Sequence, residues 1–153
     1  MTSKFTNKVT VEKSISEVFD FMYDVKNHKH LHPLITHVHL SETYTNNLNQ
    51  KVCVYVITDK VPVAGMFSFK QVYTSIQTLI EVNRHYTFTV PPTSGVEVFV
   101  DVLFDIISEN KTQIQMQAHI KAPALFHKFV VKKADSSHKK MLRLLPAALA
   151  KNL

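Results

Sequence analysis

The side chains best suited to chemistry in this sequence are histidines, five of which (His28, His30, His32, His37 and His39) fall within twelve residues. A metal centre would need such ligands to converge on one ion, with an outer layer of hydrogen bonds to orient them. No Asp or Glu lies between His28 and His39, although Asp24 precedes the group and Glu42 follows it. The spacing reads instead as polar histidines on a turn and on the outer face of a strand, where His37 and His39 share one side. His30 or His32 is the one placed to border a ligand cavity as a hydrogen-bonding group. No metal site is expected.

A second candidate is the pair Arg84 and Tyr86. Between residues 80 and 90 the even positions are Ile80, Val82, Arg84, Tyr86, Phe88 and Val90, so two polar side chains interrupt an apolar strand face. A guanidinium taken out of water costs several kcal/mol unless it is paired, on the order of what any buried ion costs. Either Arg84 meets a carboxylate or phenolate of a ligand, or the register turns it outward. Tyr86 is better suited to a cavity wall, because an aromatic body with one hydroxyl can be buried if the hydroxyl finds a partner. Cys53 is the single cysteine. It has no neighbouring base to lower its pKa, so it reads as a structural thiol, and a lone cysteine excludes disulfide frameworks and Cys-based zinc sites. Gly65 and Gly95 are the two glycines, too few for a glycine-rich phosphate loop.

Composition narrows the classes further. The chain has 153 residues, 45% of them hydrophobic and 20% charged, with ten Phe and five Tyr. That length suits one domain spanning 1–153 with a substantial core, and the aromatic content excludes a disordered or low-complexity chain. No apolar run is long enough to span a membrane, and the N-terminal stretch lacks the apolar centre of a signal peptide, so a reduced, cytoplasmic setting is expected. The net charge of +6 is unevenly spread. Residues 121–153 hold eight Lys or Arg against one acid, whereas residues 1–120 hold ten against eleven. Nucleic-acid binding would want aromatic stacking or a recognition motif beside those charges, and neither is present. The ordinary reading is a solvated helix face; transient contact with an anionic membrane surface is the alternative.

The elements that must position these residues follow from periodicity. Lys4–Glu12 alternates as a strand. Ser14 with Glu17 forms a capping-box pattern ahead of the apolar stripe Val18, Phe19, Phe21 and Met22. A second short helix or turn over Val25–Leu31 is closed by His32-Pro33. Strands follow at His37–Tyr44, Lys51–Asp59, Met66–Ile76, Leu79–Val90, Val96–Ile106 and Thr112–Lys121. The last two alternate cleanly, with Val96, Val98, Val100, Val102, Phe104 and Ile106 facing Ile114, Met116, Ala118 and Ile120. Such alternation belongs to an antiparallel sheet with one covered face. After Pro123 a long amphipathic helix carries Phe126, Val130, Ala134, Ser137, Met141, Leu144 and Ala148 along one side, with Pro146 expected to loosen its last turn. Only the concave side of the sheet can cover that stripe.

Two stretches carry a family resemblance: Val11-Glu12-Lys13-Ser14-Ile15-Ser16-Glu17-Val18-Phe19-Asp20-Phe21, and Tyr23 to Ile35 with its Asp24, Asn27, His28, Pro33 and Ile35. With the element order, they resemble the START-like, polyketide cyclase-like (SRPBCC) superfamily. Many members carry a Trp just before the proline, where this chain has Leu31-His32. The resemblance implies an α+β helix-grip fold, in which a curved antiparallel sheet of about seven strands wraps a long C-terminal helix. It also implies a cavity for a hydrophobic small molecule (lipid, polyketide or aromatic ligand) and no cofactor. The residues expected to line it are Tyr55, Phe67, Phe69, Tyr73, Arg84, Tyr86, Val100, Met116, Ala118, Phe126, Val130, Ala134 and Met141. Carriage of such a ligand is the leading functional expectation. The alternative is a cyclase-, dehydratase- or lyase-type enzyme drawing its acid and base from His30, His32, Arg84 and Tyr86. Whether β-strands 51–59 and 66–76 present their odd or their even residues to the cavity is left open by periodicity alone, as is the oligomeric state.

Overall fold

A computed structural model describes residues 1–93 and 95–151, apart from the side chains of residues 61–64 and 93. Strand β1 (Thr2–Val11) leads through Ser14 into helix α1 (Ile15–Tyr23) and a 3-10 helix (Val25–His30). Strands β2 (Ile35–Thr45), β3 (Lys51–Ala64), β4 (Phe67–Glu81), β5 (His85–Thr93), β6 (Val96–Ser108) and β7 (Lys111–Lys121) precede helix α2 (Ala124–Lys151). The seven strands form one antiparallel sheet in the order β1-β7-β6-β5-β4-β3-β2, a curved surface on which α2 lies. This is the helix-grip arrangement. The short helices carry the chain from the β1 edge to the β2 edge.

Local chemistry explains the joints. The Ser14 side chain accepts from the Glu17 amide, while the Ser14 amide donates back to the Glu17 carboxylate at 3.1 Å, a complete capping box. Such caps contribute about 1 kcal/mol each. Asp24 then accepts from the Lys26 amide at 3.1 Å and starts the 3-10 turn. At the β2–β3 hairpin the Asn46 side chain accepts from the Leu48 and Gln50 amides, both at 3.0 Å.

Two expectations about boundaries are corrected. The strand expected over Leu79–Val90 is divided: β4 runs on to Glu81, and the turn falls at Val82–Arg84, where Asn83 adopts a φ of 62°. Asparagine tolerates that left-handed conformation better than most residues, because its short side chain can bond to nearby backbone. Arg84 thereby becomes a turn residue. The buried stripe of α2 is also rotated from the expected one: His127, His138, Met141, Leu142, Leu145 and Leu149 are buried, whereas Phe126 is exposed. The helix stays helical past Pro146 to Lys151.

The core lies where β6 and β7 alternate best. Val100, Val102 and Phe104 meet Ile114, Met116 and Ala118, closed from one side by Val18, Phe19 and Met22 of α1 and from another by Met141, Leu142, Leu145 and Leu149 of α2. Leu145 is fully buried, and Ala118 is 1% exposed among large neighbours. Deleting volume should therefore cost more than a surface change would. Leu145→Ala is expected to lose about 2–5 kcal/mol, and Ala118→Phe about 1–3 kcal/mol through overpacking. Urea denaturation of the two variants against the parent checks both values.

Candidate functional site

A cavity of about 440 Å³ opens between α2 and the sheet. The 3-10 segment and the chain after it contribute Val25, His28, His32 and Ile35; β3 contributes Ile57 and Asp59. From β4 come Gln71, Val72, Tyr73, Ser75 and Gln77, and from β5 and β6 come Phe88, Val90, Val96 and Val98. Helix α2 closes it with Ala134, Ser137, His138 and Met141. On β3 the odd-numbered side chains Cys53, Tyr55, Ile57 and Asp59 are buried, and on the other face Val52 is buried as well. On β4 Tyr73, Ser75 and Gln77 take the same side as far as the cavity, and Val72 joins them at its rim.

The walls are apolar, but one region of the lining is polar. His32 Nε2 and Ser137 Oγ are 2.6 Å apart. Asp59 lies close enough to His32 to act on its charge, and the Tyr73 hydroxyl is hydrogen-bonded to the Asp59 carboxylate. His28 is buried and donates from Nε2 to the Met22 carbonyl at 2.8 Å. His138 sits between Phe5 and Phe88, with ring centroids 5.5 and 6.4 Å away. Among the described residues, His32 Nδ1, Asp59 Oδ1, Gln77 Oε1 and His138 Nδ1 are buried without a hydrogen-bond partner. Unpartnered buried polar atoms are costly, by about 1–3 kcal/mol each, and in native proteins they commonly mark functional sites.

Burial dominates the ionisation of this cluster. It lowers the pKa of His28 and His32, with Asp59 partly opposing the effect at His32, and takes His138 down to about 4. It raises the Asp59 carboxyl, against the pull of His32, Lys133 and Tyr73. The Tyr73 hydroxyl is raised as well, by burial and by the neighbouring Asp59 charge. The three imidazoles are therefore neutral near pH 7, competent to accept protons rather than to act as fixed cations.

Of the residues singled out from sequence, His32, Tyr73, Ala134 and Met141 line this cavity. The others lie elsewhere. Arg84 is exposed in the β4–β5 turn, because the strand ends before it. Tyr86 is fully buried, yet its hydroxyl donates to the Met22 carbonyl at 3.1 Å and its ring packs on Phe19 and Tyr23, so α1 supplies its partners. Val100, Met116 and Ala118 belong to the core beside α1. Tyr55 packs in a second buried cluster with Val25, Ile35, Cys53 and Ile57. Phe67 and Phe69 are 80% and 51% exposed near the β3–β4 turn. Phe126 is exposed on the outer side of α2, Val130 is half-buried but off the lining, and His30 faces outward. Sequence reasoning missed Asp59, Gln77, Ser137 and His138 as polar cavity residues. His28 was within the histidine run, and Ser137 lay on the helix stripe, where it was counted as filler.

No family model matches the sequence, and no curated protein matches it. Solved structures do resemble the fold. The di-domain aromatase/cyclase StfQ of the steffimycin biosynthetic pathway superposes with a TM-score of 0.77 at 10% identity, over 99% of this chain and 52% of that one. Norcoclaurine synthase from Thalictrum flavum, solved with dopamine and hydroxybenzaldehyde, gives 0.70 at 12% identity over 100% and 89% of the two chains. A START superfamily protein from Mycobacterium smegmatis gives 0.64 at 11% identity over 98% and 99%. The chain thus has the START-like helix-grip fold.

The depressed imidazole at His138 has a consequence for stability. Between its ordinary pKa of about 6.5 and its folded value of about 4, the unfolded chain binds a proton that the folded chain does not. Stability is then full above pH 6.5 and drains as the pH falls toward 4, by roughly 3 kcal/mol from this group at about 1.4 kcal/mol per unit. His28 and His32 act with the same sign. Urea denaturation between pH 4 and 7.5 is expected to show that slope, and His138→Phe to flatten it. An unchanged slope in the variant would assign the effect to other groups.

Proposed function

We propose that the cavity binds a small molecule with a largely apolar body and one hydrogen-bonding end, and that the protein carries or presents this ligand. The observation supporting the reading is the uneven lining. Valines, isoleucines, Phe88 and Met141 would cover the body, while the polar side chains of the lining, His32, Asp59, Gln77, Ser137 and His138, are the groups available to a hydroxyl, carbonyl or amine. A concave, mostly apolar pocket with a few convergent polar groups is the usual form of a small-molecule site. The enzyme alternative, a cyclase or lyase acting by general acid–base catalysis, is favoured by a different feature: His28, His32, Asp59, Tyr73 and His138 all border one space. Arg84 and Tyr86 take no part in that alternative, since neither borders the cavity.

The test fills the space. Ala134 stands half-buried on α2 at the cavity wall, so Ala134→Phe places a ring in the ligand's volume. The parent is expected to bind an apolar fluorescent probe stoichiometrically, and Ala134→Phe to weaken that binding by at least about tenfold, roughly 1.4 kcal/mol, with its fold intact by circular dichroism. Equal affinity in a folded variant would refute the cavity reading. Native mass spectrometry of freshly purified protein addresses the identity of the ligand.

The start of α2 supports a surface role as well. Leu125, Phe126 and Phe129 are exposed there beside Lys128, Lys132 and Lys133, and the Lys133 ammonium lies 5.9 Å from the Phe129 ring centroid. Exposed aromatics ringed by lysines suit transient contact with an anionic bilayer, at about 1 kcal/mol for each basic residue near the surface. Co-sedimentation with phosphatidylserine vesicles is expected to fall with added salt and with Phe129→Ser. Binding that ignores both would leave the lysines as ordinary solvated charge.

A further inference from the structure

The closest polar contact across the cavity joins two residues 105 positions apart, Ser137 Oγ and His32 Nε2. Neither side chain is free to drift. Ser137 is in the middle of α2, and His32 is locked in the reversal after the 3-10 helix, where its amide donates to the His28 carbonyl at 2.7 Å and its carbonyl accepts from Ile35 at 3.0 Å. The far nitrogen of His32, Nδ1, is buried without a hydrogen-bond partner. In the tautomer that carries its proton there, the lone pair is on Nε2 and the serine hydroxyl donates to it. A hydroxyl held against a neutral imidazole is the arrangement that activates an oxygen nucleophile.

We propose that Ser137 and His32 form a nucleophile–base pair that accepts the acyl group of an ester of a largely apolar carboxylic acid held in the cavity. Ser137 Oγ attacks the carbonyl carbon and its proton passes to His32 Nε2. The resulting tetrahedral adduct expels the alcohol, which takes that proton from His32, and leaves an acyl-serine. Water attacking the acyl-serine gives its proton to His32, Ser137 Oγ leaves and recovers a proton from it, and the free acid departs. Asp59 acts as a positioning residue, with its charge facing the imidazolium that forms. The backbone amides around Ser137 belong to the middle of α2 and are engaged in helix bonds, so they offer the developing oxyanion no free donor. Losing a single oxyanion donor costs other enzymes about 10²–10³-fold. Acylation is accordingly expected to be slow and best seen as a single covalent event.

The inference rests on the cavity reading above and is separable from it. The whole chain is treated with a long-chain fluorophosphonate, in which the Ser137 Oγ–P bond would form as fluoride leaves, and with p-nitrophenyl butyrate. Apolar-probe binding is recorded on the same samples. The expected result is one fluorophosphonate adduct, mapped to Ser137 by peptide mass spectrometry, with slow p-nitrophenolate release. Ser137→Ala should abolish both signals, His32→Gln should slow them by about 100-fold or more, and the exposed His30→Gln should leave them unchanged. Asp59→Asn should alter the pH profile of labelling, which His28, Asp59, Tyr73, Lys133, His138 and Lys140 together shape. Probe binding with no adduct, or an adduct on another residue, overturns the nucleophile and leaves the cavity standing. Failure to bind the probe removes both. The wild-type mapping decides the matter even if a variant does not fold.

Discussion

Everything in this structure depends on how α2 is held. Its C-terminal half is clamped by Met141, Leu142, Leu145 and Leu149 into the main core, where it packs chiefly along β1, whereas its middle, Ala134 to His138, borders the cavity. One helix is thus both lid and anchor. The anchoring residues are Leu and Met, whose burial stabilises by about 1.5–3 kcal/mol each. Just one turn away the same face switches to Ser137 and His138. The helix can afford those polar residues because the core beyond them does the holding.

The fold was legible because its strongest signals are local. The alternation in Val96–Ile106 and Thr112–Lys121 and the Ser14–Glu17 box are short-range patterns, and each specified its element without reference to the rest of the chain. The site was far less legible. Periodicity places a side chain on a face only if the strand limits are right, and Asn83 moved one limit enough to carry Arg84 out of the sheet. On β3 and β4 both faces were apolar or aromatic, so parity alone had two answers. On α2, a rotation of the stripe brought His138 inward and left Phe126 outside. The meeting of His32 with Ser137 is a product of tertiary closure across more than a hundred residues, and no spacing rule contains it.

The polar region of the cavity also shows how a fold of this kind tolerates ionisable groups indoors. None of its histidines is held as a buried cation. Desolvation keeps all three neutral, and His28 and His32 each meet a hydrogen-bonding group of the protein. Asp59, the one lining carboxylate among the described residues, is steadied by His32, Lys133 and Tyr73 against its burial. The region is polar without being strongly charged, a medium in which proton movement between neighbours is cheap and an apolar molecule is not repelled.

The pairing of the first strand carries a consequence of a different kind. β1 has a single sheet neighbour, β7, in a register running from Thr2 opposite Lys121 to Val11 opposite Thr112, and the Met1 amino group donates to the Ala122 carbonyl at 2.9 Å. During synthesis β1 leaves the ribosome before the other strands and must wait for the last of them. The meander from β2 to β7 can assemble hairpin by hairpin meanwhile, since each of its pairings joins sequence neighbours. Throughout that interval β1 is an orphan strand and β7 has an open edge, the condition under which nascent chains pair with one another. Lys4, Asn7 and Lys8 space charge and polarity along β1, the kind of pattern that disfavours pairing with a wrong edge.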